Sequence, residues 1–220
     1  MTRARVAAAL LSVLLGLVAG CGPTLGAIAY YFSPRQIQKP AYEFPEGSRV
    51  ALLIEAAQPR DENPVFDRAL HERVTEMLRE GKSQATLVPL RPIAELRRAH
   101  PDFDKWSLQR IGRELQADHV LYVKLDRLVI RQAPDYPILT PMVDLRMKLI
   151  GVSEPPAHAR LWPEAKEGHA VSCARQSREA ADADPDAADV EARKLGCDTA
   201  YYVSMPFIEV DLEQNPPVER

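Results

Sequence analysis

The chain contains three cysteines, and the first of them stands in the context that is most informative about its chemistry. Cys21 follows two arginines, an apolar run over Val6–Val18, and the small residues Ala19 and Gly20. A charged start, an apolar core and small residues before a cut are typical of a secretory signal. The apolar run is shorter than the roughly 20 residues that cross a bilayer as a helix. We therefore predict that residues 1–20 form a signal peptide that is removed in front of Cys21.

The four residues Val18-Ala19-Gly20-Cys21 resemble the lipobox of bacterial lipoproteins. The resemblance implies a thioether-linked diacylglycerol on Cys21 and an N-linked acyl chain such as palmitate. Several acyl chains anchor a protein stably where a single chain does not. Gly22 follows in place of the aspartate that some sorting rules require for the inner membrane, which implies an outer-membrane lipoprotein facing the periplasm. The alternative is an ordinary signal peptide with a chance cysteine.

Cys173 and Cys197 remain after export, in a compartment where disulfides form. They flank the most polar segment of the domain, and no other thiol is left once Cys21 is acylated. We predict that they form a disulfide, which would stabilise the fold by about 3 kcal/mol because it restricts the unfolded chain. The alternative is two unpaired thiols.

Other residues that could do chemistry do not form a recognisable motif. The five histidines lack a metal spacing such as H-E-x-x-H, and no G-x-S-x-G is present. Gly81-Lys82-Ser83 resembles the end of a phosphate loop, but Glu76 occupies the position of the first glycine. We predict a protein that is not an enzyme, with no catalytic residues, metal or cofactor. A site assembled from distant residues is the alternative, and ligand-binding residues stay unassigned.

A group of aspartates also has some features of a calcium loop, namely Asp182, Asp184, Asp186 and Asp189. Ala187 occupies the position of the loop's turn glycine, and Arg193 that of its bidentate glutamate. A solvated spacer explains these residues better, and we predict a flexible insertion over 174–189.

Charge and length limit the classes of partner. The 220 residues carry 28 basic and 31 acidic side chains, and removal of Arg3 and Arg5 with the signal leaves 26 basic ones. A slightly acidic, exported chain is a poor nucleic-acid binder, so no nucleic-acid partner is expected. The 200 residues that remain suit a single domain.

Apolar patterns predict an α/β (α+β) fold with a single mixed, largely antiparallel sheet and helices packed on it. The continuous run Val50–Ile54 predicts a buried strand, and the alternation over Val143–Leu149 predicts an antiparallel one. Apolar residues at helical spacing predict helices over 65–80 and 104–116, which we expect on one face of the sheet. Leu70 and Val74 should be buried.

The remaining elements complete the order β-α-β-α-α-β-β-β-α. They are strands over 86–88, 119–130 with a bulge at Asp126-Arg127, and 160–172, and helices over 92–98 and 190–212. The organisation we predict is signal peptide 1–20, lipid-anchored tether 21–47, domain 48–212 and C-terminal tail 213–220.

The domain resembles a group of envelope lipoproteins related to the TolB N-terminal domain, which includes curli-secretion lipoproteins and activators of penicillin-binding proteins. The likeness lies in the strand Arg49–Glu55, in the passage Ile111–Leu121 and in Trp162, and it extends over about residues 48–212. The chain departs from the group by the insertion between Cys173 and Cys197 and by the lack of a pore-forming hairpin, which argues against a secretion channel.

Three functions are compatible with these features. The first is a non-enzymatic lipoprotein, attached to the membrane through Cys21, that binds a protein partner in cell-envelope assembly or maintenance. The second is the auxiliary lipoprotein of an ABC-type lipid transport system. The segment Tyr30-Tyr31-Phe32 resembles the start of such lipoproteins. The third is an envelope hydrolase with a cryptic site.

Overall fold

The computed structural model describes residues 37–133, 136–179 and 186–211. The sheet and the helices belong to one compact unit, Gln38–Val210. In chain order, the strands are β1 (Ile37–Gln38), β2 (Arg49–Ala56), β3 (Thr86–Leu87), β4 (His119–Arg131), β5 (Ile138–Gly151), β6 (Arg160–Trp162), β7 (His169–Ala174), β8 (Arg178–Glu179) and β9 (Val210–Asp211). The helices are α1 (Pro64–Glu80), α2 (Leu90–Ala99), α3 (Leu108–Glu114) and α4 (Ala187–Ser204).

Seven strands form one mixed sheet, which confirms the predicted fold class. β2 lies between β3 and β4 and is parallel to both. β5 is antiparallel to β4, and its outer edge pairs with β6, β7 and β8 in turn. The strand predicted over 160–172 is therefore divided into β6 and β7. β1 and β9 pair with each other outside this sheet.

The strand patterns follow from the surroundings of each strand. Val50–Leu53 of β2 are buried on both faces, because neighbouring strands and helices surround this strand. β5 alternates between buried and half-buried residues, as a strand with one core face does. Its pairing with β4 is irregular between Leu125 and Arg127, which confirms the predicted bulge.

The sequence at the start of α1 strongly favours a helix. The Asn63 side chain accepts hydrogen bonds from the backbone N–H groups of Val65 and Phe66, at 3.1 and 3.0 Å. An asparagine cap followed by proline at the first helical position is a favourable start for a helix. Leu70 and Val74 are fully buried, as predicted.

Helices cover both faces of the sheet. Gly112 of α3 lies against Val120 and Val152, and a Cβ at Gly112 would come within 2.9 Å of the Val120 side chain. On the opposite face, α4 reaches the sheet through Thr199, which shares a side-chain hydrogen bond with Cys173 of β7. α1 packs against α4, since a Cβ at Gly196 would lie 2.8 Å from the Phe66 carbonyl oxygen.

The prediction that α1 and α3 share one face is therefore wrong. The connection from β2 to β3 crosses the sheet in one direction, and the connection from β3 to β4 crosses back over β2. Parallel strands are joined almost always by right-handed crossovers. Two right-handed crossovers in opposite directions place α1 on one face and the pair α2 and α3 on the other.

The C-terminal part of the domain begins with β8, which pairs with β5, and continues with α4 from Ala187. All of β8 and the first residues of α4 lie in the range 174–189 that we expected to be flexible, and residues 180–185 of that range lie outside the described residues. The helix predicted over 190–212 ends earlier, at Ser204. A short 3-10 turn, Met205–Phe207, follows, because Pro206 interrupts the helical hydrogen bonds.

The segment before β2 also packs on the domain. The N–H groups of Ala41 and Tyr42 donate to the Pro206 carbonyl oxygen, at 2.8 and 3.1 Å. Phe44 is buried, with its ring 5.4 Å from the His119 ring and 5.3 Å from the Phe207 ring. Part of the range 21–47, which we expected to be an extended tether, is thus attached to the sheet.

Candidate functional site

Several residues that the sequence singled out lie outside the described part of the chain. They are the signal segment, Cys21, the aromatic run Tyr30-Tyr31-Phe32, and Asp182 and Asp184. Within the described ranges, no helix combines the length and the apolar character that a bilayer crossing requires. Lipidation at Cys21 remains a prediction from the lipobox.

The disulfide predicted between Cys173 and Cys197 is not formed, because the structure has both as free, half-buried thiols. Cys173 contacts Thr199 of α4. Cys197 precedes Thr199 by two residues, which places it on a different side of the helix. Its side chain lies beside α1 in a surface cavity. The two thiols therefore face different neighbours. Which side chain of α4 meets Cys173 depends on the rotation of the helix and not on the separation of the two cysteines along the chain.

The cavity that contains Cys197 is a groove of about 660 Å³ between α1, β3 and α4. Helix α1 contributes Arg73 and Arg79, and α4 contributes Arg193 beside Cys197. Ala85, Thr86 and Leu87, at the edge of the sheet, form the third side. We call this cavity the arginine groove.

The arginines of the groove differ in how their charges are satisfied. Arg73 forms ion pairs with Glu76 and, at 3.7 Å, with Glu80. In the described part of the chain, Arg79 and Arg193 have no ion pair and no side-chain hydrogen bond, although both are exposed. Glu72 also lines the groove. Three arginines and two glutamates, Glu72 and Glu76, therefore give the lining of the groove a net charge of +1. This arrangement leaves two guanidinium groups available to an anionic ligand.

The strand at the edge of the groove has an open side. The N–H groups of Thr86 and Val88 donate to Ser48 and Val50 of the segment leading through β2, both at 2.8 Å. Peptide groups of successive strand residues point in opposite directions. The N–H and C=O of Leu87 therefore point away from β2, to the outer edge of the sheet, although the residue as a whole is only 7% exposed. An open edge of this kind can pair with another extended chain.

The Cys197 thiol is a poor nucleophile in this position. Burial is the main cause that raises its pKa, and the nearby carboxylate of Asp198 adds to the effect. A reactive cysteine needs the opposite shift, toward the thiolate. The lining of the groove also contains no histidine that could act as a base. The raised pKa therefore argues against Cys197 as a catalytic nucleophile.

A second region of interest is a cleft at the carboxyl end of β2, where α1 and α2 diverge to opposite faces. It is lined by Ile54, Asp67 and Arg97, among others, in two adjoining cavities of about 310 and 490 Å³. One oxygen of Asp67 is buried without a hydrogen-bond partner. Burial raises the pKa of Asp67 from 3.8 to about 6, although the charge of Arg97 opposes the shift.

A third charged region lies at the other side of α4, where a buried carboxylate is fully paired. Glu191 is 3% exposed and lies 3.3 Å from Arg175, 3.0 Å from Arg178 and 3.1 Å from Lys194. Burial alone would raise the pKa of Glu191, but its hydrogen bond with Lys194 and the surrounding positive charges lower it. This network connects α4 to β8 and to Arg175, the residue that follows β7, and has a structural role.

Metal binding receives no support from the residues that the structure describes. Among them, no group of three or more His, Cys, Asp or Glu side chains is close enough to hold an ion. His71 forms a hydrogen bond with the Val88 carbonyl oxygen at 3.0 Å, and His119 with the Tyr42 hydroxyl at 3.2 Å. Both histidines are thus bound within the fold.

No family model matches this chain, and no curated protein sequence matches it.

The chain is similar to several solved structures. One is the PelC dodecamer from Paraburkholderia phytofirmans, at 15% identity and a TM-score of 0.35 over 78% of this chain and 96% of that one. Another is lipoprotein GNA1162 from Neisseria meningitidis, at 9% identity and a TM-score of 0.40 over 70% and 98%. The LpoB C-terminal domain from Salmonella enterica matches at 17% identity and a TM-score of 0.33 over 60% and 85%. Similarities at this level assign neither a family nor an activity.

The arginine groove is not visible in the sequence alone. Arg79 and Arg193 are separated by more than a hundred residues, and each looks like an ordinary solvated residue of an amphipathic helix. The signal that could have pointed to the groove is the short strand at 86–88. Any edge strand leaves peptide groups unpaired, although an edge strand as short as β3 leaves few of them.

Proposed function

We propose that this chain is a non-enzymatic lipoprotein of the cell envelope whose folded domain binds a protein partner through the arginine groove. The observation that carries the binding proposal is the open edge of β3 beside two unpaired arginines. Such an edge offers main-chain hydrogen bonds to an extended segment of another protein. A membrane anchor would hold the domain at the envelope, where that partner acts in assembly or maintenance.

The anchor itself rests on Cys21 and its lipobox. In Triton X-114 phase separation, the wild-type protein should enter the detergent phase because its acyl chains are apolar. The Cys21→Ala variant should stay in the aqueous phase, and Cys173→Ala, the matched control, should partition as the wild type does. Equal partitioning of wild type and Cys21→Ala would refute the anchor. Density-gradient separation of the two membranes would then test the proposed outer-membrane location.

Partner binding is tested by a photocrosslinking amino acid placed in the groove of the full-length lipoprotein, in the bacterium that encodes it. Ala85 lines the groove and is half-exposed, so a crosslinker there can reach a bound chain. Arg98, exposed on α2, is the control position. We expect a discrete crosslinked protein from position 85 and none of that size from position 98. The same products from both positions, or none from position 85, would overturn the proposed binding surface.

A further inference from the structure

The arginine groove contains two features that together specify the chemistry of an occupant. The first is the outward-facing peptide group of Leu87, which offers one N–H and one C=O at the sheet edge. The second is the pair of unpaired guanidinium groups of Arg79 and Arg193, which belong to the two helices on the same face of the sheet. A small anion would use the arginines alone, whereas an extended polypeptide would use both features.

We propose that the groove binds an extended acidic segment of a protein partner, which adds a strand beside β3 and places its carboxylates against Arg79 and Arg193. This inference rests on the proposed function, because it names the chemistry of the partner at the same groove. Side chains of a strand alternate between the two faces of a sheet. Acidic residues at every second position would therefore all point to the face that carries α1 and α4.

Charge complementarity favours an acidic segment over a basic one. Glu76, which lines the groove, and Glu80, just beyond it, are held by Arg73, and Glu72 is the remaining carboxylate of the lining. Guanidinium groups bind carboxylates through two parallel hydrogen bonds, which gives direction as well as strength. A basic segment would meet Arg79 and Arg193 with only Glu72 to compensate.

The same charges argue against a second copy of this chain as the occupant. If two copies paired through β3, the arginine-bearing rim of one copy would approach that of the other. Like charges that are placed close together at an interface cost several kcal/mol. The rim thus protects the edge from self-association, as charged residues do at other sheet edges, and leaves it open to an acidic chain.

Cys197 provides a built-in reporter for the inference, since its half-exposed thiol lies in the groove. The full-length lipoprotein in detergent would be alkylated at alkaline pH, and the rate at Cys197 would be read by mass spectrometry of its peptide. The probes are a synthetic peptide that alternates glutamate with threonine and a matched peptide that alternates glutamine with threonine. Alkylation of Cys173, which lies against Thr199, serves as the internal control.

We expect the glutamate peptide to slow alkylation of Cys197 and not of Cys173, and the glutamine peptide to have little effect. In the variant that carries both Arg79→Glu and Arg193→Glu, at least ~10-fold more glutamate peptide should be needed for the same protection of Cys197. The reason is that charges at the rim of an interface set its electrostatic complementarity. Arg98→Glu, on the opposite face, should leave it unchanged.

Equal protection by both peptides, or full protection of the doubly reversed variant, would overturn the acidic specificity. If neither peptide slows the alkylation of Cys197, the proposed added strand would be overturned. Neither result affects the crosslinking test at Ala85. A groove that crosslinks to a partner but ignores acidic peptides would retain the proposed function and lose this inference, whereas loss of the crosslink alone would contradict the proposed function.

Discussion

Helix α4 carries two charged regions that are satisfied in opposite ways. Around Glu191, three cationic side chains surround one buried carboxylate. In the arginine groove, Arg193 and the neighbouring Arg79 are exposed and have no carboxylate partner in the described part of the chain. Charges that the fold has paired and buried contribute to its stability, and charges left open beside a cavity are available to a ligand. Substitutions in the two regions should therefore affect different measurements.

The largest effect on stability should come from Glu191→Gln. Removal of this charge leaves Arg175, Arg178 and Lys194 without their common counter-ion. We expect a loss of about 3 kcal/mol in the free energy of unfolding, at the low end for a broken buried pair because the cations are partly exposed. Urea denaturation of the wild type and of Glu191→Gln would measure this loss.

The matched control for Glu191→Gln is Asp198→Asn. Asp198 pairs with the same Arg175, but its side chain is 46% exposed. Exposed pairs contribute at most about 1 kcal/mol. If Glu191→Gln cost no more than Asp198→Asn, the network around Glu191 would not be a structural element.

An intermediate effect is expected at Asp67, a half-buried carboxylate that is only partly compensated. Its pKa in the folded protein, about 6, lies above the ordinary value of 3.8. The folded state therefore binds this proton more tightly than the unfolded state, so the contribution of Asp67 to stability is greatest below pH 4 and is lost as the pH rises through about 6.

The Asp67→Asn variant should lack this fall, and at pH 7 it should be more stable than the wild type by about 1–3 kcal/mol. Urea denaturation at pH values from about 4 to 7 would measure both proteins, and the difference between them should vanish at the acidic end. A constant difference over that range would show that Asp67 does not titrate as described.

The smallest effect on stability should come from the groove. Arg79→Glu together with Arg193→Glu changes exposed side chains that no carboxylate of the described chain binds. We expect the free energy of unfolding to stay within about 0.5 kcal/mol of the wild type. A loss of more than about 1 kcal/mol in urea denaturation would mean that the two arginines hold the fold together instead of serving a ligand.

The sequence predicted those parts of the fold that depend on local patterns. The apolar run of β2, the alternation in β5 and the Asn63 cap of α1 each depend on residues close together in the chain, and each element formed as expected. The bulge near Asp126 was visible as a change of parity within one strand.

The parts that were missed depend on relations between distant segments. The faces occupied by α1 and α3 follow from the strand order β3-β2-β4, which no local pattern specifies. The predicted disulfide is absent from the structure because the rotation of α4 directs Thr199, and not Cys197, toward Cys173. The groove arose from exposed residues of three elements, and exposed residues show no periodicity that a sequence reading could use.

The most direct test of the open strand edge is the exchange rate of the Leu87 amide hydrogen, measured by NMR with and without the glutamate–threonine peptide. If the peptide adds a strand to β3, the Leu87 N–H gains a hydrogen bond and its exchange slows. The Val88 N–H, which already donates to Val50 at 2.8 Å, should change little. Unchanged exchange at Leu87 while the peptide is bound would contradict the added strand and, with it, the way in which we propose this domain holds its partner.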